Sequence, residues 1–402
     1  MPEGQGVVIT GLGLVLPSGT GLAAADAVFE GRSAVSLLPA IEGIPNATGA
    51  AARTFQPPPG TESSDRAIQF AISAAEEAWA GAGMRRSSLL PERVATVVSL
   101  SKGPLLALAD WARKPHQSIR NWAEVLPSAA ASAISARLGA AGPLFAPVTA
   151  CASGGHALIW GAAMIARGCV DAAVVGAAEA SLHPLVIGSY RRMGVLADAG
   201  DDPARSVRPF SATRRGFAIG EGAGILVLES EASAARRGAA VLARVKGWAT
   251  GAQACRPAAM EPTGEALSRI IADALARAGV APEAVDYVHA HGTATADNDV
   301  AEARAIRRAL GAAAGRVSVS STKGAHGHLL GAATAAELVL TVLAIGRGEA
   351  PPTVNLTDPD PAIGLDCTPL VARRRPIRCA LKIASGFGGQ MAAIVLTSPT
   401  ET

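Results

Sequence analysis

Short apolar runs alternate along the chain with longer alanine-rich stretches whose apolar residues recur at helical spacing. Such runs have no polar face, so they predict strands covered on both sides, as in a parallel or mixed sheet sandwiched by helices. The strand candidates are residues 7–15, 94–100, 171–175, 224–228, 285–290, 317–320, 381–384 and 391–396. Residues 63–82 and 265–278 read as amphipathic helices, the second entered through Pro-Thr-Gly and closed by Gly279. A further helix-like stretch covers 157–167. Pro-rich loops at 56–60 and 350–361, and a charged loop at 198–215, are too short to separate independent domains. The pattern predicts an α/β fold, one compact unit of two halves, 1–240 and 241–402.

Composition narrows the function classes. Apolar residues make up 49% and charged ones 17% of 402 residues, which fits a well-cored globular protein. A formal charge of +3 and 3% aromatics supply neither the basic excess nor the stacking surface of a nucleic-acid binder. The cysteines, at 151, 169, 255, 367 and 379, are odd in number and lack a CxxC. They suggest neither a disulfide framework nor a cysteine zinc site, and a reducing cytoplasm is expected. The opening MPEGQGVVITGLG carries an acid and no base before a short apolar run, unlike a secretory signal. No stretch reaches the roughly 18 uncharged apolar residues of a membrane span; residues 129–146 come nearest, broken by Arg137. No membrane association is expected.

Four segments set reactive side chains among glycines and small residues just after strand-like runs, where an α/β sheet opens its crevice. The first runs from Val148 to His156 and contains Cys151. A cysteine at the turn into a helix sits beside unpaired N–H groups and the positive end of the dipole, which favours a nucleophilic thiolate; the plain alternative is a small buried hydrophobe. In the second, from His289 to Asp299, strand alternation turns His289 and His291 to one face. The third, from Ser320 to Gly331, holds Lys323, His326 and His328, and Lys323 is one of five lysines against 31 arginines. The fourth, Ile383 to Gly389, brings glycines around Ser385 and Phe387, letting backbone N–H groups approach a ligand. The His-x-His pairs suggest metal ligands, but no carboxylate completes a set and Lys323 would oppose a cation, so no metal is expected. The Gly11-Leu-Gly13 turn is similar to a dinucleotide loop, except that Leu16 and Pro17 stand where a third glycine belongs.

Together these segments resemble the β-ketoacyl-[acyl carrier protein] synthases, condensing enzymes of the thiolase superfamily. The resemblance covers almost the whole chain. It is carried by Val-Ile-Thr-Gly-Leu-Gly at the start, Thr149-Ala-Cys-Ala-Ser-Gly, the segment Arg208 to Gly224, His291-Gly-Thr-Ala-Thr, Ser321 to Ala333, and Gly386-Phe-Gly-Gly389. It implies a five-layer αβαβα thiolase-like fold of two similar halves, the first carrying the cysteine and the second both histidines and the lysine. By position it makes Cys151 the acylated nucleophile, His291 and His328 the active-site histidines, Lys323 the lysine beside them, and Glu337 the acid supporting that loop. The backbone N–H groups of Cys151 and Ser385 would form the oxyanion hole, with Phe387 in a supporting place. His156, His289 and His326 fall outside the catalytic positions.

The implied reaction is decarboxylative Claisen condensation of a malonyl thioester on acyl carrier protein with an acyl group held on Cys151. Many fatty-acid synthases of the family have phenylalanine at the position of Ser385; Ser-Gly-Phe-Gly-Gly is similar to type II polyketide ketosynthase subunits, which points to a polyketide or polyene pathway. Fatty-acid elongation, a carrier-binding subunit with little turnover, and a cysteine acyltransferase or hydrolase are the alternatives. Ser211 and Arg215 stand where acids are usual. The resemblance also implies no dissociable cofactor, since substrates ride on the carrier's phosphopantetheine. It implies a homodimer or a heterodimer with a chain-length-factor-like subunit, and an acidic carrier docking near Arg113, Lys114, Arg205 and Arg208.

Overall fold

A computed structural model describes residues 5–41, 44–113, 122–255 and 260–400. Among the described residues the main sheet has eleven strands: β1 (Val7–Leu16), β2 (Val94–Leu100), β3 (Leu144–Phe145), β4 (Ala172–Glu179), β5 (Gly222–Ser230), β6 (Ala243–Ala252), β7 (Tyr287–His289), β8 (Ser318–Ser320), β9 (Cys379–Gly386), β10 (Gln390–Thr397) and the short Gly19–Thr20, which pairs only with β1. The main helices are α1 (Arg66–Gly81), α2 (Ala129–Leu138), α3 (Ser153–Ala166), α4 (Glu265–Ala278), α5 (Ala296–Leu310) and α6 (Ala333–Arg347). Helix α1 starts later than its apolar pattern because Asp65 caps it, its carboxylate accepting from the Ala67 N–H.

The strand order is β3-β2-β4-β5-β1, continued by β6-β10-β9-β7-β8. Outward from the β1–β6 seam, each half therefore shows the same arrangement. The first strand in chain order pairs antiparallel with the last, the last antiparallel with the fourth, and two parallel pairings complete the row. The halves join where Val7–Ile9 pairs with Val245–Ala243. Helices α3 and α6 lie between the halves and touch strands of both, α1 and α2 cover the outer face of the first, and α4 and α5 cover that of the second. These are the five layers implied by the resemblance.

Strand alternation explains why the apolar runs are unbroken. On β5, Leu226 and Leu228 enter the central core while Ile225 and Val227 enter the outer one. On β10, Ala392, Ile394 and Leu396 face the centre and Met391, Ala393 and Val395 face α4. Burying each such large side chain contributes about 1.5–3 kcal/mol before entropy is subtracted. The central helices approach so closely that side chains are excluded. A Cβ on Gly154 of α3 would lie 2.5 Å from the Ala335 nitrogen of α6, and one on Gly161 would lie 2.4 Å from Val175. The segment Leu330–Arg347, which contains α6, is long and apolar enough to cross a membrane, but it is 83% buried inside the protein and serves as a core helix.

Candidate active site

The Cys151 turn, the His291 loop and the His328 loop converge on one cavity of about 210 Å³, lined also by Phe217, Thr293, Ser385 and Phe387. The Cys151 sulfur and a ring nitrogen from each of His291 and His328 lie within 4.8 Å of one another. All three residues are buried. Three of the eight non-glycine residues with positive φ among the described residues flank these groups: Ala150, Ala294 and Leu330. Left-handed backbone of this kind costs on the order of 1–3 kcal/mol and persists only where its surroundings over-determine it.

Those surroundings are specific. The Ser153 hydroxyl accepts from the Thr149 N–H at 2.9 Å and donates to the Ala150 carbonyl at 2.7 Å, pinning the Cys151 turn. Thr334 of α6 donates to the Cys151 carbonyl at 2.7 Å. Opposite, Gly386 faces the same turn: a Cβ there would lie 2.8 Å from the Thr149 carbonyl oxygen and 3.2 Å from the Cys151 nitrogen. Only glycine lets the β9–β10 hairpin close on the Cys151 turn. Phe387 stacks on Tyr190 with centroids 6.0 Å apart.

Burial pushes the Cys151 thiol up to about 11, against the opposing pull of Lys102 and Lys323. Desolvation therefore opposes the thiolate that the helix entrance and the two ammoniums favour. Both histidines are neutral: burial, then the charge of Lys323, holds each well below the ordinary imidazole range. The His328 Nδ1 accepts from the Leu330 N–H at 3.3 Å, which leaves the proton on Nε2. Its ring meets Phe217 edge-to-face at 4.9 Å and His291 at 5.5 Å. The His291 backbone is gripped by Glu302, whose carboxylate accepts the N–H groups of His291 at 2.5 Å and Gly292 at 2.7 Å. Two neutral N–H donors beside a thiol can stabilise an oxyanion next to an acylated sulfur.

Lys323 is fully buried rather than solvated. Its ammonium donates to the His291 carbonyl and to Glu337 Oε1, the latter at 2.5 Å. The other histidines among the described residues lie outside the cavity lining. His289 bonds Thr341 at 2.9 Å and Thr322 at 3.0 Å, and His326 bonds the same Thr322 at 2.8 Å. His156 is half-buried on α3. Ser211 donates to Asp358 at 2.5 Å, and Arg214 pairs with Asp360 at 2.6 Å. Arg113 and Arg205 are exposed and Arg208 is half-buried, bonded to Thr213; Lys114 lies outside the described residues. The sequence reading missed Lys382, whose ammonium lies 2.6 Å from the second Glu337 oxygen. A lone charge inside the otherwise apolar run Cys379–Ala384 was the available signal.

The family profile for the β-ketoacyl synthase N-terminal domain matches residues 5–234, and that for the C-terminal domain matches 242–357. The chain is 34% identical to the tetracenomycin polyketide synthase ketoacyl synthase alpha subunit of Streptomyces glaucescens, covering 98% of each chain. It is equally identical, at 34%, to 3-oxoacyl-[acyl-carrier-protein] synthase 2 of Coxiella burnetii, over 98% of this chain and 99% of that one. Among solved structures, a type II polyketide synthase acyl carrier protein in complex with its hexaketide-bound ketosynthase superposes with a TM-score of 0.91 at 32% identity, covering 99% of this chain and all of that one. The ishigamide ketosynthase/chain length factor does so at 0.88 and 31%, with the same coverage. With two domain profiles spanning most of its length, and relatives matched end to end, the chain belongs to the β-ketoacyl synthase family of condensing enzymes.

Proposed function

We propose that this enzyme extends an acyl chain by decarboxylative condensation, with Cys151 carrying the acyl group and His291 and His328 stabilising the enolate. The observation that carries the reading is the convergence of one sulfur and two neutral imidazoles within 4.8 Å in a single cavity. In the first half-reaction the Cys151 sulfur attacks an acyl thioester, and its proton ends on the departing carrier thiol. The tetrahedral oxyanion is held by the backbone N–H groups of Cys151 and Ser385, on the two segments that Gly386 brings together. In the second, malonyl thioester loses CO₂ and the electron pair becomes an enolate, whose oxygen accepts from the two ring N–H groups. The enolate carbon then attacks the acyl-Cys151 carbonyl, expelling the Cys151 thiolate, which is reprotonated from solvent. These steps balance without an electron carrier or metal.

The small side chain of Ser385, at the cavity wall beside Phe387, favours a polyketide or polyene chain over short fatty acyl elongation. Acyl carrier protein is the proposed partner, by analogy with the complex to which the fold is similar, and the cytoplasm the proposed compartment. Incubation with malonyl and acyl carrier proteins should release CO₂ and add acyl mass at Cys151. Mass without CO₂ release would instead favour a hydrolase or a subunit with little turnover.

Assembly is proposed through one edge of the sheet. Among the described residues strand β3 ends the sheet, with Leu144 and Phe145 exposed; Phe145 stacks on exposed Trp160 at 6.5 Å, and exposed Val148 follows. An open apolar edge of this kind is an association surface. A dimer through this edge, with a second copy or a chain-length-factor-like subunit, is the proposed state. Phe145→Glu should convert it to a monomer in light scattering; an unchanged mass would place the interface elsewhere.

A further inference from the structure

Glu337 is fully buried between two fully buried ammoniums. Lys323 reaches its Oε1 at 2.5 Å and Lys382 its Oε2 at 2.6 Å. The two lysines also grip consecutive backbone carbonyls on the strand that delivers His291. Lys382 donates to the carbonyls of His289 at 3.3 Å and Ala290 at 3.1 Å, and Lys323 donates to that of His291. Glu302 takes the N–H groups of His291 and Gly292 from the other side. Strand β7 ends at His289. Past that point charged side chains hold the His291 backbone on both its donor and its acceptor edges.

We propose that Lys382 is a positioning residue for the enolate-stabilising step, sharing Glu337 with Lys323 to hold the His291 imidazole in register with Cys151. The inference rests on the condensing reading above. Desolvating a second ammonium is costly, and one carboxylate already compensates Lys323, so an apolar side chain would fill the Lys382 position with less strain on the fold. What an apolar residue could not do is bind two carbonyl oxygens at once. Lys382 does not line the cavity and does not touch substrate; it acts through His291.

The charge at this position is also titratable. Burial, and then the like charge of Lys323, lowers the Lys382 ammonium to about 8 although Glu337 opposes the shift. The groups facing it are Glu337 from α6, Lys323 from the short helix Lys323–His326, Glu302 from α5, and the His289, His291 and His326 rings. Glu302 is itself raised to about 7 by burial and is coupled to Lys382, so it is the comparison with Lys382→Met that assigns the alkaline limb. The effect on the fold has the opposite sign. Between the lowered folded value and the ordinary lysine value the unfolded chain binds more protons, so this group adds stability as pH rises. Titration of this group therefore does not unfold the protein above about pH 8.

The test separates CO₂ release from malonyl carrier protein and acyl loading of Cys151, in the unmodified enzyme and in Lys382→Met. At pH 7 the variant should release CO₂ roughly 10- to 100-fold more slowly, the scale of a small misplacement of a reacting group, while acyl loading stays within about threefold. The unmodified enzyme should lose CO₂ release above about pH 8, and Lys382→Met should lack that limb. A variant within twofold of the unmodified rate at pH 7, or one that retains the limb, overturns the proposal. If Lys382→Met does not fold, the unmodified profile decides: a rate steady to about pH 9.5 overturns it, and a fall with acyl loading maintained supports it. No CO₂ release by the unmodified enzyme would instead remove the condensing reading itself.

Discussion

Cys151→Ala should abolish acyl loading and condensation while leaving malonyl decarboxylation within about tenfold of the unmodified enzyme. Loss of a catalytic nucleophile typically costs on the order of 10⁴–10⁶ in turnover, because no neighbouring group takes its place. Here no other described cysteine lines the cavity: Cys367 and Cys379 are buried in the outer core of the second half, and Ser153 is committed to two backbone bonds. The enolate donors are separate atoms on separate loops, and the turn around Cys151 is held by Ser153, Thr334 and Gly386 rather than by the sulfur. Removing the sulfur leaves that frame in place. Intact-protein mass spectrometry with acyl carrier proteins, beside CO₂ release, measures both halves. Acyl mass on Cys151→Ala would remove Cys151 from its role, and CO₂ release lost together with acylation would show that the two half-reactions do not use distinct groups.

The layout of strands was legible where one physical rule decided it. Buried strands must be apolar throughout, so β2 appeared at its observed bounds, and helix α4 from Glu265 to Ala278 was given by its period and by the Gly279 stop. Strand β6, which opens the second half, escaped. Its burial alternates irregularly, its pairing with β10 shifts between Val245 and Gly247, and Arg244, Lys246 and Gly251 interrupt the pattern. Helix α6 was hidden for the opposite reason: nearly every residue is buried, so there is no polar face to set a period. Among chemical groups, those embedded in glycine-rich turns were visible because their segments have few structural explanations. Lys382 was not, because its neighbours are ordinary strand residues and its meaning lies in Glu337, 45 residues earlier, and in carbonyls that sequence does not display. The burial that raises the Cys151 thiol was hidden for a related reason: a helix entrance can be read from sequence, and the depth at which it is buried cannot.

His328→Ala should show the mirror image of the cysteine variant, losing about 10²–10³ in CO₂ release while still accepting an acyl group on Cys151. That magnitude is what removal of one preorganised oxyanion donor costs. The donor is preorganised here on each count the geometry can supply. The Leu330 N–H occupies Nδ1 and so fixes the tautomer. Phe217 and His291 confine the ring edge-on. The backbone is fixed too, the His328 N–H donating to the Ala218 carbonyl at 2.7 Å and its own carbonyl accepting from the Gly220 N–H at 2.9 Å. Alanine keeps those backbone bonds, so the loss should appear in turnover rather than in folding. His291→Ala should behave alike. Because the two rings serve a single oxygen, the double variant should cost less than the product of the single losses. Rates of CO₂ release and of acyl loading, measured for both single variants and the double, decide the matter. If acyl loading falls as far as CO₂ release in His328→Ala, the ring serves the sulfur rather than the enolate, and the division of labour proposed for the two half-reactions is wrong.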